Sequence, residues 1–164
     1  MTTAIFPGSF DPMTNGHLDL ILRATEMFDK VIVAVLINHS KKPLFTLEER
    51  MELLSRCIAS EKVEVSSFKG LLVDFAKEQK AHVILRGLRA VSDFEYELQM
   101  AHMNRELNSE IETVFMVPQT VYSYLSSRLV KEVASLGGNI SNLVPPLVEE
   151  ALAEKLPEGS RAGQ

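Results

Sequence analysis

Apolar runs rich in β-branched residues alternate with stretches of helical periodicity along most of the chain, and no other feature restricts the fold as much. The runs predict strands at 3–6, 31–36, 62–65, 82–85 and 113–117. The spacing between them predicts helices at 16–28, 47–60, 71–79 and 91–107. Strands that read as continuous apolar stretches belong to a sheet covered on both faces. Strand–helix–strand alternation builds right-handed crossovers and a parallel sheet. The expected architecture is α/β: a single-domain Rossmann-like fold, with a five-stranded parallel sheet, helices on both faces and a C-terminal helical extension.

Local signals mark several helix ends. Thr46 and Glu49 fit a capping box. Ser126 can cap a helix with apolar positions Leu129, Val130, Val133 and Leu136, which Gly137 and Gly138 would end. A last helix starts near Pro145 or Pro146 and carries Leu147, Val148, Ala151 and Leu152. Residues 157–164 have almost no apolar content, so they are expected to form a mobile tail after a domain at 1–156.

Composition narrows the function classes. A length of 164 residues suits one domain with a full core. No apolar run reaches the roughly 18 residues of a membrane span. Met1 to Phe6 lacks the basic and apolar segments of a signal peptide. Cys57 is the only cysteine, which excludes an internal disulfide and a cysteine zinc cluster. These features predict a cytoplasmic protein without membrane contact. The net charge of −5 argues against nucleic-acid binding. Any anionic ligand must be held by positive groups concentrated locally.

In an open parallel sheet, ligands bind beyond the carboxyl ends of the strands, where the strand order reverses. Three expected strand ends carry unusual residues: 7–17, 86–89 and 118–128. The first contains two glycines and two prolines in eleven residues, a shaped loop that is neither a dinucleotide fingerprint nor a P-loop. His17 follows in the first turn of a helix, where free N–H groups and the dipole favour an anion. An isolated histidine there can equally be an incidental part of a capping loop. Arg86 and Arg89 flank Gly87-Leu88, and Gly87 lets backbone approach a ligand closely. The arginines could grip phosphate through planar forks, or could pair with Asp93, Glu95 or Glu97. Ser126, Ser127 and Arg128 offer phosphate two hydroxyls, helix N–H groups and a guanidinium; a serine cap with a solvated arginine is the alternative. Lys41 and Lys42 follow a polar loop, and a mobile lysine there suits charge build-up in phosphoryl transfer, although such pairs are commonly just solvated.

Thr14-x-Gly16-His17, at a strand-to-helix junction, has the form of the nucleotidylyltransferase signature. Ser126-x-x-Leu129-Val130-Lys131-Glu132 resembles that superfamily's second signature. With the stretches at 41–50, 86–97 and 101–105, the chain from Ile5 to about Leu156 resembles the bacterial phosphopantetheine adenylyltransferase family. The stretch Arg86 to Glu97 separates this family from others in the superfamily.

The resemblance implies transfer of AMP from ATP to 4′-phosphopantetheine, giving dephospho-coenzyme A and pyrophosphate, with coenzyme A as a feedback inhibitor. It implies that His17 stabilises the transition state, with Lys41 and Arg89 as further catalytic groups. It assigns ATP contacts to Ser9, Phe10, His17, Gly87, Leu88, Arg89 and Glu97, and to the loop of Tyr122, Ser123, Tyr124, Leu125, Ser126, Ser127 and Arg128. It assigns phosphopantetheine contacts to Ser9, Lys41, Leu72 and Arg86. Ser9 stands where the family commonly has threonine, and Arg128 where a third serine is frequent. The 4′-phosphate is already a nucleophile, so no general base is needed and no Ser-His-Asp or Cys-His set is evident. Mg²⁺ would bridge the triphosphate through ATP oxygens and water; Asp11 is a weak candidate for a protein ligand. Two rivals are a related transferase acting on nicotinamide mononucleotide or making a CDP-alcohol, and a nucleotide sensor without catalysis.

The helix at 91–107 carries two apolar stripes. Phe94, Leu98 and Ala101 recur on one side, and Tyr96, Met100, Met103 and Leu107 on nearly the opposite side. A sheet-covering helix in a monomer needs only one. The second must meet the C-terminal helix or another subunit, and a subunit contact is expected. The resemblance implies a homohexamer, built as a dimer of trimers.

Overall fold

The computed structural model describes residues 1–38 and 42–156, with backbone only for Val91 and Ser92. Lys41 and the expected tail at 157–164 lie outside the described residues. The strands are β1 (Thr3–Gly8), β2 (Lys30–Leu36), β3 (Val63–Phe68), β4 (Val83–Gly87) and β5 (Glu112–Met116). The helices are α1 (Asn15–Met27), α2 (Leu47–Cys57), α3 (Leu72–Glu78), α4 (Val91–Leu107), α5 (Ser127–Ser135) and α6 (Pro146–Lys155). A short 3₁₀ turn, Thr120–Tyr122, precedes α5. All strand pairs are parallel, in the order β3-β2-β1-β4-β5. The chain winds outward from β1 to β3, then returns to place β4 on the other side of β1. The boundary between β1 and β4 is thus the switch point.

Strand alternation sorts side chains into two layers. Ala4, Phe6, Val31, Val33, Val35 and Leu85 pack with Leu20, Ile21 and Ala24 of α1 and Leu54 of α2. Ile5, Ile32, Ala34 and Ile84 pack on the opposite face with Val73, Phe75 and Ala76 of α3. Full burial of one such aliphatic side chain contributes about 1.5–3 kcal/mol. A third cluster joins Phe45 and Leu53 to Val130 and Ala134 of α5 and Val148 and Leu152 of α6. The C-terminal helices therefore complete a core of their own beside α2.

β1 and β4 pair only at Ala4–Val83 and Ile5–Ile84, although both strands run on. β1 stays paired with β2 as far as Gly8, and β4 with β5 as far as Gly87. The sheet opens only at its switch point. Pro7 has no N–H to give a ladder, and its carbonyl accepts instead from Nη1 of Arg86 at 3.2 Å.

Two element ends and the packing of one helix differ most from the sequence expectation. α2 ends at Cys57 because the chain turns there to bury Ile58. β3 runs on to Phe68 through Ser66 and Ser67, which an edge strand accommodates. In α4 neither apolar stripe is buried within the chain: Phe94, Tyr96, Met100, Met103 and Leu107 are 40–62% exposed. Its buried described side chains are Glu97 and Asn104. The C-terminal helix packs on α2 and α5, so it is not the cover for the second stripe. Among the described residues no helix is long and apolar enough to cross a membrane.

Candidate active site

The gap between β1 and β4 opens into a cavity of about 310 Å³. Phe6 to Phe10 line it from the end of β1, Arg86, Gly87 and Arg89 from the end of β4, and Tyr122, Leu125, Ser126 and Ser127 from the approach to α5. His17 and Leu20 of α1 close it. The three strand-end segments marked in the sequence thus meet at one edge of the sheet. Side chains crowd both Gly8 and Gly87 there. A Cβ on Gly8 would stand 3.0 Å from the Phe10 ring, and one on Gly87 would stand 2.6 Å from Leu20 Cδ1. Gly87 lines the cavity, with the Leu20 side chain of α1 beside its Cα.

His17 caps its helix and also lines the cavity. Thr14 caps α1 through its hydroxyl, which accepts from the His17 backbone N–H, while His17 Nδ1 accepts from the Thr14 N–H at 3.0 Å. This is a capping box with histidine in the place usually held by Glu or Gln. Burial, then the charges of Arg89 and Arg86, push the imidazole pKa down to about 4. The ring is therefore neutral near pH 7. With Nδ1 accepting, its one proton is on Nε2, which makes Nε2 a hydrogen-bond donor. Phe10 holds the ring edge-to-face at 5.1 Å, with its own backbone in the left-handed region at φ 47°. Such a backbone costs on the order of 1–3 kcal/mol and persists where packing demands it.

The arginines are oriented by acids. Arg86 Nε and Nη2 donate to Glu97 Oε2 and Oε1 at 2.6 and 2.7 Å. Arg89 Nε donates to Asp93 at 3.2 Å and its Nη1 to the Leu125 carbonyl at 2.9 Å. The second bond ties β4 to the loop before α5. The pairing alternative holds for both side chains, Arg86 with Glu97 and Arg89 with Asp93, and both arginines line the cavity.

A second cavity of about 440 Å³ adjoins the first, sharing Pro7, Gly8, Ser9, Arg86 and Glu97 with it. Its other walls are largely apolar, with Leu36, Phe68 and Leu72 on one side and Tyr96, Met100 and Met103 of α4 on the other. Leu72 therefore lies in this cavity and apart from the first. Leu88, Ser123, Tyr124 and Arg128 line neither. Leu88 instead gives its N–H to Met116 O, extending the ladder.

The 7–17 loop is tied down on several sides. Asp11 is buried and accepts from Leu44 N, Phe45 N and Lys131 Nζ, each at 2.9 Å. Burial alone would raise its pKa, but these donors outweigh burial and hold the carboxyl below its usual value. Both oxygens are thus engaged in bracing the loop. No group of three or more His, Cys, Asp or Glu among the described residues could hold a metal ion. Ser127 Oγ donates to Pro12 O at 2.7 Å, and Ser126 caps α5. Arg50 went unassigned in the sequence. It is buried and gives Nη1 to Ser9 O at 2.8 Å, fixing the loop from behind. Its signal was a cation four residues after the Thr46 cap, on the same helical face as Leu53 and Leu54.

The chain is similar to several known proteins. The cytidylyltransferase-like family model matches residues 5–133. A crystal structure of a putative nicotinate-nucleotide adenylyltransferase from Vibrio parahaemolyticus superposes with a TM-score of 0.72, covering 99% of this chain and 98% of that one. At 20% identity, that likeness speaks for the fold alone. Phosphopantetheine adenylyltransferase from Clostridium perfringens (strain 13 / Type A) is 58% identical over 95% of this chain and 96% of its own. The protein of the same name from Heliobacterium modesticaldum is 56% identical over 94% of this chain and 93% of its own. With its nucleotidyltransferase fold, its switch-point cavity and this identity over nearly its whole length, the chain belongs to the phosphopantetheine adenylyltransferase family.

Proposed function

We propose that this enzyme transfers AMP from ATP to 4′-phosphopantetheine, releasing pyrophosphate and forming dephospho-coenzyme A in coenzyme A biosynthesis. One observation carries the reading: a neutral imidazole shares a cavity with two arginines, beside a larger, mostly apolar cavity. The first suits phosphates, and the second suits a pantetheine arm that ends in a thiol. Arg86 and Glu97 stand where the two meet.

A 4′-phosphate oxygen attacks the α-phosphorus of ATP, the bond from that phosphorus to the β-bridging oxygen breaks, and pyrophosphate leaves. His17 donates Nε2–H to the α-phosphate as charge gathers on its oxygens. Arg89 steadies the nucleotide phosphates and Arg86 the acceptor phosphate. The family pattern assigns Ser9, Phe10, Gly87, Leu88, Glu97 and the 122–128 loop to the ATP side, and Ser9 and Leu72 to the acceptor side. Lys41, outside the described residues, is assigned to the acceptor phosphate by the family pattern. Nucleotidyl transfer generally uses a divalent metal. Mg²⁺ would enter with the triphosphate and supply charge neutralisation there. Coenzyme A carries the same pantetheine arm and would compete for the apolar cavity. The exposed stripe of α4 supports self-association, in the family pattern a homohexamer made as a dimer of trimers.

The test is a substrate panel read by pyrophosphate release. ATP with 4′-phosphopantetheine should release it. CTP, or nicotinamide mononucleotide in place of the acceptor, should not. Release with nicotinamide mononucleotide alone would overturn the assignment.

A further inference from the structure

We propose that Glu97 is a positioning residue for Arg86, acting on the acceptor's phosphate rather than on the nucleotide. The inference rests on reading Arg86 as the acceptor anchor, and it moves Glu97 from the ATP role that the family pattern assigns. Glu97 is 8% exposed in a helix where Tyr96, Met100, Met103 and Leu107 are exposed. Burying a carboxylate is costly unless it is paired and hydrogen-bonded, and this one is held at both oxygens by one guanidinium.

The consequence follows from counting donors. A guanidinium has five N–H groups in a rigid plane. Glu97 takes one from Nε and one from Nη2, and Pro7 O takes one from Nη1. One N–H is left on each terminal nitrogen. Those two groups have their directions set by Glu97, because the Arg86 side chain cannot rotate without breaking two charge-assisted bonds. Arg86 and Glu97 line both cavities, and in this reading the acceptor's phosphate sits on those two donors. The carboxylate also offsets the arginine's charge. Recognition then depends on matching two N–H directions more than on net attraction, which favours a phosphate that arrives with the right arm.

The experiment is steady-state kinetics on Glu97→Gln, Arg86→Lys and the double variant, with both substrates varied. Gln keeps the size but presents an NH₂ to the guanidinium at one of the two contacts. Glu97→Gln should raise KM for 4′-phosphopantetheine about tenfold, the scale of one lost charge-assisted bond, and leave KM for ATP within about twofold. Arg86→Lys keeps the charge without the fork. The double variant should be no worse than Arg86→Lys alone, because both changes remove one arrangement. Additive losses, or a rise confined to KM for ATP, would overturn the proposal. Should Glu97→Gln fold poorly, Glu97→Asp keeps the charge and shortens the reach; a selective rise in acceptor KM supports the proposal and none overturns it. Arg86→Ala separates the two readings. If it leaves acceptor KM unchanged, the anchor reading fails. If it raises acceptor KM while Glu97→Gln does not, only the positioning role fails.

Discussion

His17 holds the helix start with one nitrogen and offers the cavity a donor with the other, and the two functions can be separated by mutation. Asn retains an acceptor near the Nδ1 position but has no group at Nε2; Ala retains neither. His17→Asn should keep unfolding free energy within about 1 kcal/mol of the parent, the scale of one cap, while turnover falls on the order of 10²–10³-fold. His17→Ala should lose turnover equally and the cap as well, and neither should change ATP affinity much. The depressed pKa adds a sign. Between about 4, its folded value, and 6.5, its unfolded value, the unfolded chain binds more protons at His17. Its contribution to stability therefore rises with pH across that window and falls as the solution is acidified. Denaturant titrations at several pH values should show a slope that His17→Asn removes, and kcat/KM should show no His17 limb between pH 5 and 8. The type and place of His17 were legible in the sequence, because glycine and proline mark the loop and a helical period follows it. Its Nδ1 partner was not, since the capping-box pattern expects an acid at that position.

At the scale of elements, legibility followed burial on both faces. β1 and β2 are apolar and largely buried after their first residues, Thr3 and Lys30, and were found within a residue or two of their true ends. β3 was cut short because an edge strand tolerates serines that read as a turn. The opening between β1 and β4 left only Pro7 as its trace, since register is a property of the pair and not of either strand. α4 is the instructive helix. Its two apolar stripes were legible, and neither is buried, while the acid that seats it, Glu97, was read as a ligand contact. The exposed stripe of Tyr96, Met100, Met103 and Leu107 forms a contiguous apolar face of the kind that marks an association surface. Met100→Glu and Met103→Glu should lower the solution mass by light scattering while circular dichroism stays unchanged. An unchanged assembly, or a monomeric parent, would contradict this.

The whole molecule is a scaffold that brings three distant segments to one edge and holds them rigidly. The order β3-β2-β1-β4-β5 makes the edge, and Asp11, Arg50, Ser127 and Arg89 brace the loops around it. Among the described residues, the one imidazole in the cavity is engaged in a helix cap through Nδ1. On the proposed mechanism, catalysis is positioning and charge stabilisation around a single displacement. The stereochemical course at phosphorus tests this most directly. ATP made chiral at its α-phosphorus, turned over with 4′-phosphopantetheine, should give product with inverted configuration. Retention would require two successive displacements through an adenylylated side chain and would contradict the account.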